Sequence, residues 1–167
     1  MSSFRTIWTT EDRYIEVIDQ RQLPHEFVVV KLHTYQDAET AIKEMTVRGA
    51  PLIGATAAYG IYLAVREMIE QELDPSYLDQ AFSALRASRP TAVNLFWALD
   101  KMRYALDSSE NFWKTSWEMA SQIVEEDVET CRMIGVHCLQ IIETLSEKKK
   151  GETVNILTHC NAGMLGC

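Results

Sequence analysis

The first thirty-odd residues alternate short runs of β-branched and aromatic side chains with polar turns. The runs are RTIWTT, RYIEVID and EFVVVKL, and polar residues and Pro24 separate them. Side chains of these types are enriched in strands, and short runs bounded by turn residues are typical of antiparallel strands. The pattern predicts a small antiparallel sheet over residues 1–33.

From residue 34 the apolar positions change to the spacing of helices. Ala38, Ala41 and Ile42 follow the three- and four-residue rule, which predicts a first helix with Thr34 or Asp37 as its N-cap. This helix should end at the VRGAP segment. Beyond that segment the helical spacing begins again.

Four further helices are expected. Pro51 suits the first turn of a helix, because its missing N–H would have no partner there, and the following PLIGATAAYGIYLAVREMI is apolar on nearly every face. A third helix should end where Pro90 breaks the pattern, and a fourth should run from Thr91 as a possible cap. The apolar period over residues 110–147 predicts either one long helix or a helix kinked near Gly135.

The last residues of the chain predict a different kind of structure. TVNILTH is apolar and β-branched, as in a buried strand, and CNAG reads as a loop of small residues after it. One buried strand cannot pair its own backbone, so it requires neighbouring strands. The prediction is an α+β domain, made of the sheet (1–33) and a helical bundle (34–150), followed at 151–167 by the start of a truncated second domain.

Composition and charge exclude several classes of function. The chain has 47% hydrophobic and 24% charged residues, as in globular proteins, and a net charge of -8. An acidic surface repels the phosphates of nucleic acid. The N-terminus lacks the basic and apolar regions of an export signal, and no run is expected to be long enough to span a membrane. We therefore expect a soluble, cytoplasmic protein that binds neither nucleic acid nor membranes.

The four cysteines do not form a metal or redox motif. They are Cys131, Cys138, Cys160 and Cys167, and none is in a CxxC pair. Cys131 and Cys138 lie seven residues apart on one helical face and are expected to be small core residues. No metal site is expected from this spacing.

Two segments place an arginine just before an expected helix start. In VRGAPLIG, Arg48, Gly49 and Ala50 precede the helix that begins near Pro51, where N–H groups, the helix dipole and a guanidinium suit a phosphate. The alternative, favoured by the spacing alone, is that Arg48 caps the preceding helix and Gly49 is its left-handed terminator. In SRPTAVNL, Arg89 repeats the arrangement, and its alternative role is a surface ion pair.

A third segment, LTHCNAG, places a thiol after the predicted buried strand. Open α/β sheets bind ligands at this end of their strands, and nearby backbone amides would favour the thiolate of Cys160. His159 could assist this thiolate. The alternatives are an inert buried cysteine and a structural histidine.

These blocks, with the opening RTIWTTEDRYIEVIDQRQLPHE, resemble the methylthioribose-1-phosphate isomerase family across essentially the whole chain. VRGAP, RPTAVNL and THCNAG occur in the order found in that family. Its superfamily also includes ribose-1,5-bisphosphate isomerases and regulatory subunits of a translation initiation exchange factor. The TIW and IDQ…LPHE opening favours the methylthioribose branch.

The resemblance implies an N-terminal sheet-and-helix domain followed by a Rossmann-like domain, in a homodimer without a metal or nucleotide cofactor. It implies that Arg48, Gly49, Ala50 and Arg89 bind a sugar-phosphate substrate and that Cys160 is the active-site cysteine. The family's catalytic aspartate and an Asn-Lys pair fall beyond residue 167. The MLGC ending departs from the small, apolar continuation expected after the loop.

The reaction explains why such residues are needed. A 1-phosphate locks the sugar as a cyclic acetal, so an acid must open the ring before a proton or hydride moves between C1 and C2. A cysteine near C2 could act as a base or stabilise the transition state. Two hypotheses follow: an isomerase whose active site needs more chain than these residues, inactive as this segment alone, or a non-catalytic ligand-binding or regulatory module of the superfamily.

Overall fold

A computed structural model describes residues 5–159 and residue 165. Three strands come first, and five helices follow. The strands are β1 (Ile7–Thr9), β2 (Ile15–Ile18) and β3 (Val29–Leu32), and the helices are α1 (Tyr35–Lys43), α2 (Ala50–Glu70), α3 (Ser76–Ser88), α4 (Val93–Asp107) and α5 (Phe112–Lys149). The predicted α+β architecture of sheet and bundle is confirmed for this part of the chain.

The sheet is antiparallel, in the order β1-β2-β3. Val17 at its centre pairs with Ile7 on one side and with Val30 on the other. Ile15 and Val17 are fully buried, whereas Glu16 between them accepts a hydrogen bond from the Trp8 indole at 2.6 Å. This alternation gives the sheet one apolar face, which joins the core of the helices.

Local capping sets where the first two helices begin. Thr34 is the N-cap of α1, and it exchanges hydrogen bonds with Asp37 in a capping box (3.1 Å and 3.0 Å). Pro51 lies in the first turn of α2, as expected. The predicted cap of α4 is wrong: α4 begins at Val93, with Ala92 in the cap position and no side-chain cap.

Helix α2 is the centre of the bundle. It contacts each of the other four helices and β1. By length and composition α2 could cross a membrane, which corrects the expectation that no run is long and apolar enough. However, 83% of its most apolar window is buried inside the fold, as in the core helix of a globular domain.

Helix α5 is one unbroken helix of 38 residues. The alternative of a kink near Gly135 is wrong, since no proline is present and nothing packs within 4 Å of the Gly135 Cβ position to bend the helix there. Its N-terminal half is buried through Ile123 and Val124, but Cys138 is exposed. The prediction of Cys131 and Cys138 as core residues is therefore wrong for the described chain, where α5 projects beyond the helices that cover it.

The predicted buried strand does not form in the described residues. Residues 153–159 have no strand pairing, and Leu157 is 98% exposed. A strand is stabilised by its neighbours, and the three strands of the sheet already pair with one another rather than with this segment. A Rossmann-like domain beginning at residue 151 thus stays a prediction.

One carboxyl group is buried inside the bundle. Glu67 of α2 is 9% exposed and accepts a hydrogen bond from the backbone N–H of Tyr35 at 3.2 Å. Burial raises the pKa of Glu67, and hydrogen bonds from Tyr35 and the Tyr77 side chain partly oppose this. The acid therefore links α1, α2 and α3, and its burial disfavours the charged form.

This shift predicts how stability depends on pH. Because the folded-state pKa of Glu67 is raised, the fold loses stability as the pH rises from the unfolded pKa through the folded one. Glu67→Gln keeps an acceptor for Tyr35 without the charge, so its melting temperature relative to the wild type should rise across this window. Thermal unfolding at pH 4 to 8 measures this, with Glu143→Gln at an exposed position on α5 as the control. A melting temperature of Glu67→Gln that falls relative to that of the wild type as the pH rises would contradict this prediction.

Candidate anion site at two helix starts

The starts of α2 and α4 lie side by side. A Cβ placed on Gly54, four residues into α2, would be 3.1 Å from the backbone oxygen of Asn94 and 3.6 Å from the Ala98 Cβ. This close approach favours a residue without a side chain, because a Cβ here would press against the backbone of Asn94. Since Asn94 is the second residue of α4, the two starts are within roughly one or two helical turns of each other.

Neither start is closed by a side-chain cap. Gly49 is the N-cap of α2 with a φ of 96°, a conformation that favours glycine, and Pro51 removes one N–H from the first turn. The alternative role for Gly49 as the terminator of α1 is wrong, because Met45 has that left-handed conformation (φ 60°). Two uncapped helix starts leave backbone N–H groups for an anion.

Two arginines border these starts. Arg48, which is exposed, precedes α2, and half-buried Arg89 follows α3 just before α4. Of the nine arginines, these two have side chains without a hydrogen bond, ion pair or ring contact among residues 5–159 and 165. The other seven pair with a carboxylate or stack on an aromatic ring: Arg5, Arg13, Arg21, Arg66, Arg86, Arg103 and Arg132.

The sequence left open a surface ion pair as the alternative role of Arg89. The acidic chain gives its other arginines partners, yet Arg89 forms no ion pair in the described structure. The structure thus brings together the helix starts that carry Arg48, Gly49, Ala50 and Arg89. Their assignment to a substrate stays a prediction, as does the role of Cys160, which lies outside the described residues.

One acidic residue near these starts was missed by the sequence analysis. Asp127 of α5 lines a small cavity with Leu52 and Ala55 of α2 and lines a groove with Val93 and Asn94 of α4. Burial raises the pKa of Asp127. The signal that could have found it is its spacing, three residues after buried Val124.

Comparison with known proteins decides the family. The model for the initiation factor 2 subunit family matches residues 46–166. The chain belongs to this family.

The chain is also similar to proteins named as isomerases. Methylthioribose-1-phosphate isomerases from Desulfatibacillum aliphaticivorans and Sinorhizobium medicae are 48% and 49% identical over 98% and 97% of the chain, but over only 46% and 44% of their own length. The chain thus spans a little under half of these relatives. The resemblance inferred from the sequence motifs is confirmed.

Two solved structures share the fold. 5-Methylthioribose 1-phosphate isomerase from Pyrococcus horikoshii aligns with a TM-score of 0.66 and 34% identity, over 77% of this chain and 38% of that one. The delta subunit of translation initiation factor eIF-2B from A. fulgidus aligns with a TM-score of 0.67 and 34% identity, over 76% of this chain and 38% of that one. Both of these proteins therefore contain about three quarters of this chain's fold.

Proposed function

We propose that this chain supplies the phosphate-binding part of an aldose-ketose isomerase that converts 5-methylthioribose 1-phosphate to 5-methylthioribulose 1-phosphate. The observation that carries the proposal is that the side chains of Arg48 and Arg89 have no partner in the described part of the chain and lie at two adjacent, uncapped helix starts. The names of relatives that are 48% and 49% identical support the choice of substrate.

The phosphate would be held by two kinds of donor. Each guanidinium can donate two parallel hydrogen bonds to phosphate oxygens, and the first-turn N–H groups of α2 and α4 add the positive ends of two helix dipoles. Gly49 and Ala50 carry little or no side chain, so the dianion can approach the backbone closely. Such a site recognises the charge and the tetrahedral shape of the phosphate.

The chemistry requires more than phosphate binding. An acid must open the ring, and the thiolate of Cys160 would act as a base at C2 or stabilise the charge that develops there. In our proposal the acid belongs to the half of the isomerases that this chain does not cover. That half would form a Rossmann-like domain, and the assembled enzyme would be a cytoplasmic homodimer in methionine salvage.

Removing either arginine tests the anion site. Arg48→Ala and Arg89→Ala should each weaken binding of ribose 1-phosphate by about ten-fold or more, because each removes charge-assisted hydrogen bonds. NMR titration of the 167-residue chain measures this affinity. Arg132→Ala, which removes an arginine paired with Glu129 on α5, is the matched control. Equal affinities for all three variants would refute the shared site.

A second candidate is a non-catalytic module that binds a phosphorylated ligand or a partner protein. It is supported by the similarity to the eIF-2B delta subunit, whose TM-score equals that of the isomerase within 0.01. The two candidates differ in turnover once the complementary half is supplied. Only the isomerase predicts product.

A further inference from the structure

A groove runs between α4 and α5 beside the start of α4. Its volume is about 310 Å³, and its lining consists of Val93, Asn94, Trp97, Glu126, Asp127 and Thr130. Trp97 is 44% exposed and forms an aromatic wall of the groove, with the Lys101 ammonium over its ring, 4.6 Å from the ring centroid. The groove therefore combines an aromatic surface with carboxylate and amide groups.

The two polar neighbours of Asp127 on α5 that line the groove, Glu126 and Thr130, already have partners. Glu126 accepts hydrogen bonds from Lys101 at 2.8 Å and Gln122 at 2.6 Å. The hydroxyl of Thr130 donates to the backbone oxygen of Glu126 at 2.8 Å. These contacts leave neither residue dependent on a ligand.

Asp127 is different, because its half-buried carboxylate has no hydrogen bond or ion pair among the described residues. Burial without a partner is also what raises its pKa. A partly desolvated carboxylate without a donor costs free energy that a hydrogen-bond donor would recover. The geometry thus provides an acceptor that lacks a donor.

The position of the groove indicates which ligand would supply a hydrogen-bond donor to Asp127. Asp127 lines a cavity beside the start of α2 and also lines the groove beside the start of α4. Arg89 is four residues before Val93, which lines the groove. A ligand anchored by its phosphate at these starts would therefore lie next to the groove that Asp127 and Trp97 line.

We propose that Asp127 accepts a hydrogen bond from a hydroxyl of the bound sugar phosphate, with the ring of Trp97 beside the sugar. This inference rests on the proposed phosphate site at Arg48 and Arg89. It gives the site a means of distinguishing a pentose phosphate from a phosphate ester without hydroxyl groups, because the latter leaves the carboxylate unpaired. Asp127 is then a specificity-determining residue rather than part of the phosphate cradle.

Two probes of equal charge separate the hydroxyl contact from the phosphate contact. Ribose 1-phosphate carries hydroxyls and ethyl phosphate does not. The wild-type chain should bind ribose 1-phosphate about ten-fold or more tightly than ethyl phosphate, as expected for a hydrogen bond to a charged acceptor. Asp127→Asn should lose most of this preference and bind ethyl phosphate at least as well as wild type. NMR titration measures both affinities.

Glu129→Gln is the matched control, since it removes the same charge from α5 outside the groove. It should keep the preference. An unchanged preference in Asp127→Asn would overturn the role of Asp127 and leave the phosphate site intact. If Arg48→Ala and Arg89→Ala bind ethyl phosphate as wild type does, the proposed function fails instead.

If the Asp127→Asn variant does not fold, a measurement on the wild-type chain still tests the proposal. The indole N–H signal of Trp97 should shift with ribose 1-phosphate and should not shift with ethyl phosphate at matched saturation. Identical responses to the two probes would overturn the proposal. A response to ribose 1-phosphate alone supports it.

Discussion

The purified 167-residue chain should give no measurable turnover of 5-methylthioribose 1-phosphate. It covers 44–46% of the length of similar isomerases, and the ring-opening acid is proposed to lie in the part it does not cover. Members of a catalytic set act together, so the absence of one lowers the rate by about 10⁴-fold or more. A coupled assay for the ketose product measures this against a full-length isomerase.

Complementation provides the control for this result. Mixing the chain with a separately expressed C-terminal half of an isomerase should restore turnover, and the same mixture with Cys160→Ser should remain inactive. Turnover by the chain alone at a rate near that of the full-length enzyme would show that the proposed division of the active site is wrong.

The second large effect is self-association of the isolated chain. Apolar side chains on the projecting half of α5 are exposed, among them Ile134 at 57% and Ile141 at 61%, and Leu157 follows them at 98%. Exposed apolar surface of this extent is unusual in a monomer and promotes association. Light scattering should give a mass that increases with concentration above 19.1 kDa.

Charged substitutions locate the associating surface. Ile134→Glu with Ile141→Glu should return the mass to that of the monomer, whereas Tyr104→Glu, at an 80% exposed aromatic position on α4, should not. A complementary C-terminal half should also suppress association. A wild-type chain that stays a monodisperse monomer and does not bind that half would refute the prediction.

Local signals in the sequence were sufficient for most of the fold. β-Branched runs predicted the three strands, the candidate caps Thr34 and Asp37 indicated the start of α1, and Pro51 indicated the start of α2. These features depend on neighbours within a few residues, so a pattern along the chain contains them. The start of α4 was misplaced because Thr91 has a cap's side chain but lies in a turn after Pro90.

Features that depend on contacts between residues far apart in the sequence were harder to predict. Cys138 has the spacing of a core residue, yet burial also requires a second element to cover it, and no described helix does so. The same reason applies to TVNILTH, whose composition is that of a buried strand. Periodicity identifies which face should be covered and says nothing of whether the covering element is present.

The candidate site was partly predictable. Motifs placed Arg48 and Arg89 before helix starts, but the absence of ion-pair partners and the side-by-side position of α2 and α4 came from the structure. Asp127 was missed because a carboxylate among helical charges is usually solvated. Its position beside the starts of both α2 and α4 and its lack of a hydrogen bond among the described residues distinguish it from Glu126.

Because α2 lies at the centre of the bundle, the candidate anion site at its start is coupled to the global unfolding of the domain. Amide protons in the middle of this helix can exchange with solvent only when the surrounding helices separate, so they should report global unfolding. Arg48, Gly49 and Ala50 sit at one end of that helix. A ligand bound there would slow hydrogen exchange throughout the bundle, far from any atom it touches.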